Sequence, residues 1–323
     1  MNLPKTPLHF LYKDEYNNNL FIKREDLLPF SFGGNKARIS LEFMKDMEEK
    51  ACNHMIAYGG PQSNLCRVIS NLCAQKNIPC TIVSLLEEGL DPNLFSNYKM
   101  AKAFGAEYVY CTRENVAETI KTVMENLTEK GYKPYYINGN SKGRGNEHVP
   151  VAAYAKVYKE ITEQEIELKQ NFDKIFLACG TGMTISGLVC GKILNKSKHD
   201  IVGISISRQK TNALPYISKY IESYLYKRSN SIFDDALYNE NVYNYVDDYC
   251  LSYGKSNCDI DALIKYFLVK HGIALDTTYT GKAMYGMTCY IKKNNIQDSN
   301  LLFIHTGGTP LFFDDLNRLL KEE

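Results

Sequence analysis

Tryptophan is absent from this chain, and no CxxC pair occurs among its ten cysteines. Neither charge dominates: 38 Lys and Arg stand against 37 Asp and Glu, which argues against a polyanion-binding surface and hence against a nucleic-acid partner. No window of about 18 consecutive apolar residues is present, so no membrane span is expected. The opening MNLPKTPLHFLYKDEYNN has no basic region followed by an apolar one, so no secretory signal is expected either. Several cysteines (Cys73, Cys80, Cys190) sit in apolar runs, which suits reduced core thiols in the cytoplasm better than a disulfide framework. The missing tryptophan, beside abundant Tyr and Asn, carries no functional weight.

What is present is an alternation of short apolar runs with helical patterns. HMIAYGG reads as a strand ending in glycines, followed by a helix over NLCRVISNLCAQK. PCTIVSLL, EYVYC and KPYYING are further strands, with NYKMAKAFGA a helix closed by Gly105. After about residue 150 come helix VPVAAYAKVYKEITEQ, strand KIFLACG, helix TISGLVCGKIL, strand DIVGISIS and strand NLLFIHTGG. This order predicts an α/β fold of two open, mostly parallel twisted sheets with helices on both faces. It also predicts a small domain, 46–149, inserted in a large one made of 1–45 and 150–323. The Tyr-rich section from Tyr216 to Tyr249 is the least regular and reads only as broken helices.

Ligands of open α/β sheets gather at the carboxyl ends of the strands. Three of these strands end in loops of glycine and small hydroxyls: YGGPQSN, ACGTGMTISG and HTGGTP. In the second, Gly180, Thr181, Gly182, Met183 and Thr184 lie between a strand and a helix, where free N–H groups would cradle a phosphate. A plain tight turn explains such a loop equally well when it is taken alone. GTGMTISG roughly imitates a dinucleotide fingerprint, but Asp200 precedes the next strand instead of ending it. Arg208, after that strand, could meet a 2′-phosphate, which keeps an NADP enzyme open. No GK[ST] follows the glycines, so a Walker loop fails.

Lys36, in KREDLLPFSFGGNKAR, remains to be explained. It opens an amphipathic run (Ile39, Leu41, Met44, Met47), which places its ammonium near the positive end of a helix, an unfavourable setting for a cation. Such a setting favours the free amine, the form that attacks an aldehyde. A nucleophilic lysine together with a monophosphate cradle points to pyridoxal 5′-phosphate, with no metal.

The segments REDLLPFSFGGNKAR, YGGPQSNLCR, CGTGMTISGL, LDTTYTGKAMYGM and IHTGG, in that order, resemble the motifs of the D-cysteine desulfhydrase and 1-aminocyclopropane-1-carboxylate (ACC) deaminase family. That family belongs to the tryptophan-synthase β type of pyridoxal-phosphate enzymes. The resemblance implies that Lys36 is the lysine that binds the cofactor covalently and Asn64 the residue beside its phenolic oxygen. Ser63, with Gln62 and Asn64 beside it, corresponds to the substrate-carboxylate or proton-handling serine. It further implies that Gly180 to Thr184 hold the phosphate, that Tyr253 and Tyr279 are the active-site tyrosines, and that Thr306 lies near the pyridine nitrogen. A neutral hydroxyl there makes the ring a weaker electron sink, which steers toward concerted or rapid β-elimination. ACC deaminases carry glutamate after the tyrosine, where this chain has Thr280 as the desulfhydrases do. The expected activity is therefore β-elimination from D-cysteine or a close analogue, giving pyruvate, ammonia and sulfide, with ACC deamination or a β-replacement synthase as the alternatives. A homodimer is implied as well.

Three departures from the family pattern stand out. Leu65 replaces a polar residue after SN. Met183 replaces a glycine, where a positive φ would be strained. The segment NGNSKGRGNEHVPV adds Lys142, Arg144, Glu147 and His148, of which Arg144 or His148 could read an extra substrate group.

Overall fold

The structure is a computed structural model that describes residues 1–85, 89–229 and 242–320. Its strands are β1 (Leu8–Lys13), β2 (Asn19–Arg24), β3 (His54–Tyr58), β4 (Cys80–Leu85), β5 (Glu107–Cys111), β6 (Pro134–Tyr136), β7 (Lys174–Cys179), β8 (Asp200–Ser205), β9 (Asn244–Val246) and β10 (Asn300–His305). Its helices are α1 (Asn35–Glu49), α2 (Asn64–Gln75), α3 (Ser96–Ala103), α4 (Val116–Glu129), α5 (His148–Leu168), α6 (Met183–Leu194), α7 (Lys210–Ser229), α8 (Cys258–His271), α9 (Thr280–Lys293) and α10 (Thr309–Leu319). They fall into two compact units, one of Met1–Asn35 with Val151–Glu323 and one of Lys36–Pro150.

In the first unit the sheet order is β1-β2-β10-β7-β8-β9, parallel throughout except that β1 runs antiparallel to β2. The central strands are nearly continuous apolar runs because both sheet faces are covered, which removes the alternation of a half-exposed strand. Phe176 and Ala178 of β7, Val202 and Ile204 of β8, and Leu301 and Phe303 of β10 share one core with Ala283, Met284 and Met287 of α9. One strand in from the edge, β2 is fixed by a buried polar cluster. Lys23 Nζ donates to Glu160 Oε1 (2.6 Å) and Gln164 Oε1 (2.8 Å) of α5. The next residue but one, Glu25, accepts from the hydroxyls of Thr6 (2.7 Å) and Tyr154 (2.8 Å).

In the second unit the sheet is β5-β4-β3-β6, all parallel. The four strands read from the sequence between residues 52 and 140 are these four. On α1 the buried face is Ile39, Phe43, Met44 and Met47; Leu41, assigned to it by pattern, is only half-buried. Spacings of four, one and three residues explain the preference for Phe43, since positions four apart stack on one side of a helix.

Two features differ from the expectation. The N-terminal hairpin of β1 and β2 was not anticipated. In the Tyr-rich section, α7 runs unbroken to Ser229 with Pro215 inside it, and β9 adds a short strand paired to β8. Residues 230–241 of that section lie outside the described residues.

Candidate active site

The approach to Lys36 is built on unusual backbone. Ser31, Phe32, Gly33 and Gly34 all have positive φ (47°, 60°, 68° and 96°), a run that only a well-anchored loop sustains. The anchors are hydrogen bonds from Gly34 N–H to Glu25 O (2.8 Å) and from Asn35 N–H to Thr306 O (3.0 Å). Gly34 also meets Gly307 backbone to backbone. A Cβ added at Gly307 would lie 2.5 Å from Gly34 Cα, and one added at Gly34 would lie 3.0 Å from Thr306 O. Asn35 then starts α1, and its Nδ2 donates to Thr184 Oγ1 (2.9 Å). One asparagine thus binds both the 180–184 loop and the 306 loop. Lys36, half-buried, is the next residue of the helix.

After β7, the chain turns through Gly180 to Gly182 into α6. Gly182 takes the left-handed conformation (φ 94°) at the N-cap of α6, where a glycine offers no side chain to cap the first N–H groups. The positive φ therefore falls on Gly182, and Met183 is the buried first helical residue, free of the strain that the sequence suggested for it. A Cβ at Gly182 would come 2.7 Å from Ile217 Cγ1 of α7. Thr184 is buried and its oxygen accepts from Asn35, so its hydroxyl proton remains to be donated. Thr181 is exposed. An uncapped helix start, a glycine turn and a hydroxyl donor form a donor set that fits a phosphate monoester such as that of pyridoxal phosphate.

The start of α9 is closed by contrast. The buried Asp276 carboxylate accepts from the N–H groups of Thr278 (2.9 Å), Tyr279 (2.7 Å) and Thr280 (3.1 Å), and from the Thr280 hydroxyl (2.8 Å). Burial pushes the Asp276 carboxyl above its ordinary range, against the pull of these hydrogen bonds. Thr280 Oγ1 also accepts from Asp276 N–H (2.8 Å), so the threonine that stands where ACC deaminases carry glutamate is bound into this cap. Tyr279, at the helix start, has its hydroxyl 2.7 Å from that of Tyr253, with ring planes at 82°. Its Cε1 lies 3.6 Å from where a Cβ at Gly180 would sit, so the ring rests against the glycine loop. Thr306 is buried in the turn after β10. That turn is held by His305, whose Nδ1 accepts from Gly307 N–H (3.2 Å) while Nε2–H donates to Ala274 O (3.1 Å). This pairing selects the neutral Nε2–H tautomer. Burial lowers the pKa of His305, with the nearby Asp26 opposing.

In the second unit, Ser63 caps α2, its Oγ accepting from Cys66 N–H (3.2 Å). Asn64 is buried, and its Oδ1 accepts from Asn97 Nδ2 (3.0 Å), which also donates to Gln62 O (2.8 Å). Asn97 thereby turns the Asn64 amide so that Nδ2 is its outward donor, and it ties Asn64 to the Gln62 backbone on either side of Ser63. Nothing in the sequence around Asn97 signals this role. Leu65 is buried in the α2 core, an ordinary position for leucine. The 138–151 segment folds on itself: Asn140 Oδ1 accepts from the N–H groups of Lys142 (3.0 Å) and Arg144 (3.2 Å), and Asn140 N–H donates to Arg144 O (2.8 Å). Glu147 Oε2 accepts from Gly145 N–H (2.7 Å), Lys142 and Arg144 are exposed, and His148 begins α5.

Comparison with known proteins gives the family. Residues 2–307 match the family described as pyridoxal-phosphate dependent enzyme. A Pyrococcus abyssi protein with a provisional ACC deaminase name is 30% identical over 316 residues, covering 96% of this chain and 91% of the relative. The D-cysteine desulfhydrase of Serratia proteamaculans is 29% identical over 319 residues, covering 95% of this chain and 92% of its own. Among solved structures, the crystal structure of an ACC deaminase homologue superposes with a TM-score of 0.83 at 26% identity, covering 98% of this chain and 93% of the other. On this family match, these relatives and this fold, the chain belongs to the pyridoxal-phosphate dependent enzymes, in the group of ACC deaminases and D-cysteine desulfhydrases.

Proposed function

We propose that this enzyme catalyses β-elimination on a small amino acid, D-cysteine or a close analogue, releasing sulfide, ammonia and pyruvate, and that it works as a cytoplasmic homodimer. Bound pyridoxal phosphate supplies the electron sink that acidifies the Cα–H of the amino acid. Lys36 would carry the cofactor, and its amine would take the Cα proton of the substrate. Ser63 and Asn64, with Gln62, hold the substrate carboxylate; the spare hydroxyl proton of Ser63 and the Nδ2 of Asn64 are suitable donors. Gly180 to Thr184 receive the phosphate, and Thr306 partners the ring nitrogen. Tyr279 or Tyr253 gives the departing sulfur its proton. Proton transfer by a positioned group of this kind contributes roughly 10²–10⁴-fold.

The observation that supports elimination most is the pair of phenols 2.7 Å apart beside the glycine loop. In such a pair one hydroxyl donates to the other, so a proton can pass between the two phenols. The commitment of Thr280 to the Asp276 cap agrees with the desulfhydrase side of the group. The test is a keto-acid and sulfide assay of the pyridoxal-phosphate-loaded protein with D-cysteine, L-cysteine, 2,3-diaminopropionate and ACC. Pyruvate and sulfide from D-cysteine are expected, lost in Lys36→Ala together with the covalent adduct seen by mass spectrometry. Turnover of ACC alone would replace this reading with ring opening. A requirement for an added thiol or amine would replace it with β-replacement, and colour without turnover would leave only a cofactor carrier.

A further inference from the structure

Lys282 is the third residue of α9 and is wholly buried. Lysine is almost never buried unless partnered, and the partners here are carbonyl oxygens. Nζ donates to Ile206 O (3.0 Å) and Ser252 O (2.8 Å). Ile206 directly follows β8, and its Cγ1 lies 3.7 Å from where a Cβ at Gly180 would sit, so it borders the glycine loop. Ser252 directly precedes Tyr253. One ammonium therefore ties the end of a central strand to the residue before an active-site tyrosine.

Tyr253 is 45% exposed, and its hydroxyl meets that of Tyr279 at 2.7 Å. Resting on the elimination reading above, we infer that Lys282 is a positioning residue whose ammonium clamps the Tyr253 segment to the end of β8 and so sets the tyrosine pair for proton delivery. Hydrogen bonds from a charged donor are shorter and roughly twice as strong as neutral ones. The titratable groups that face the ammonium are Asp276, at the start of its own helix, and Cys250, on the clamped segment; both favour the charge. Burial outweighs them and lowers the Lys282 pKa to about 8. The clamp thus holds at neutral pH and slackens as the amine loses its charge above that value.

The test is Lys282→Met, which keeps the length of the side chain and removes its N–H donors. Amide exchange of the 249–256 peptides, read by mass spectrometry without cofactor, should rise at least about tenfold while β7 and α6 keep their protection. In the loaded enzyme, kcat with D-cysteine should fall on the order of 10²-fold at little cost in KM. Tyr253→Phe should then cost nothing more in the Lys282→Met background. Unchanged exchange, or two losses that simply multiply, overturns the proposal. If the variant does not fold, the wild type decides. Exchange of the same peptides, corrected for intrinsic rate, should be faster at about pH 9.5 than at about pH 6.5, and no difference overturns it. A wild type that makes no keto acid from any amino acid refutes the elimination reading, while the exchange measurements still decide the clamp.

Discussion

Helices α6 and α9 meet the same difficulty and resolve it oppositely. Each begins with N–H groups that have no carbonyl one turn back. At α9 the chain supplies its own anion: Asp276 takes the amides of Thr278, Tyr279 and Thr280. At α6 the N-cap is Gly182, which turns the backbone and has no side chain to supply one. A start already occupied by a carboxylate repels a phosphate, and an open one attracts it. The start of α10 lies between the two. It has no side-chain cap, but Gly308 there is pressed on Asp276, since an added Cβ would lie 2.2 Å from Oδ2. The chemistry that these helix starts can support is thus sorted by where one aspartate stands.

The strongest way to break this contrast is Asp276→Ala. It strands three amides, two of them buried, and should lower stability by about 4 kcal/mol, read from the urea midpoint. Closing the open start comes next. Gly182→Val adds a side chain at φ 94°, 2.7 Å from Ile217 Cγ1, and should weaken pyridoxal phosphate binding on the order of 10²-fold in an absorbance titration. Thr184→Val sharpens the picture more gently: it removes both the acceptor of Asn35 and a hydroxyl proposed to hold the phosphate, and should weaken the cofactor about tenfold. Retained affinity in both variants would remove the phosphate from α6.

The smallest expected effect is a pH slope at the 306 turn. Burial holds the pKa of His305 below its ordinary 6.5. As pH falls through 6.5 the unfolded chain binds this proton before the folded one does, so the contribution of His305 is complete above 6.5 and is lost on acidification. His305→Gln should flatten that part of the stability profile, measured as urea midpoints across pH.

The alternation that builds β3 to β6, and the order β7, α6, β8, could be read from apolar periodicity because buried parallel strands need unbroken apolar runs. The glycine loops could be read because glycine marks a backbone that side chains forbid. The β1–β2 hairpin could not, since β1 is largely exposed and shows no buried apolar run, and both strands end in charge. Nor could Lys282, which among GKAMYGM looks like any lysine; only the fold shows that its partners are the carbonyls of Ile206 and Ser252. Asp276 is an intermediate case. An aspartate shortly before a helix suggests a cap, but nothing in DTTYT tells that one carboxylate takes three amides and a hydroxyl.

The meeting of Gly34 with Gly307 restricts how this chain can change. Most tight contacts in a protein are negotiable, because one member can shrink when the other grows. Here each member is already the smallest residue there is, each has positive φ (96° and 100°), and backbone faces backbone. No second substitution can rescue the first, so covariation between the two positions has nothing to work with. A library aimed at new substrates should keep both glycines and spend its diversity elsewhere.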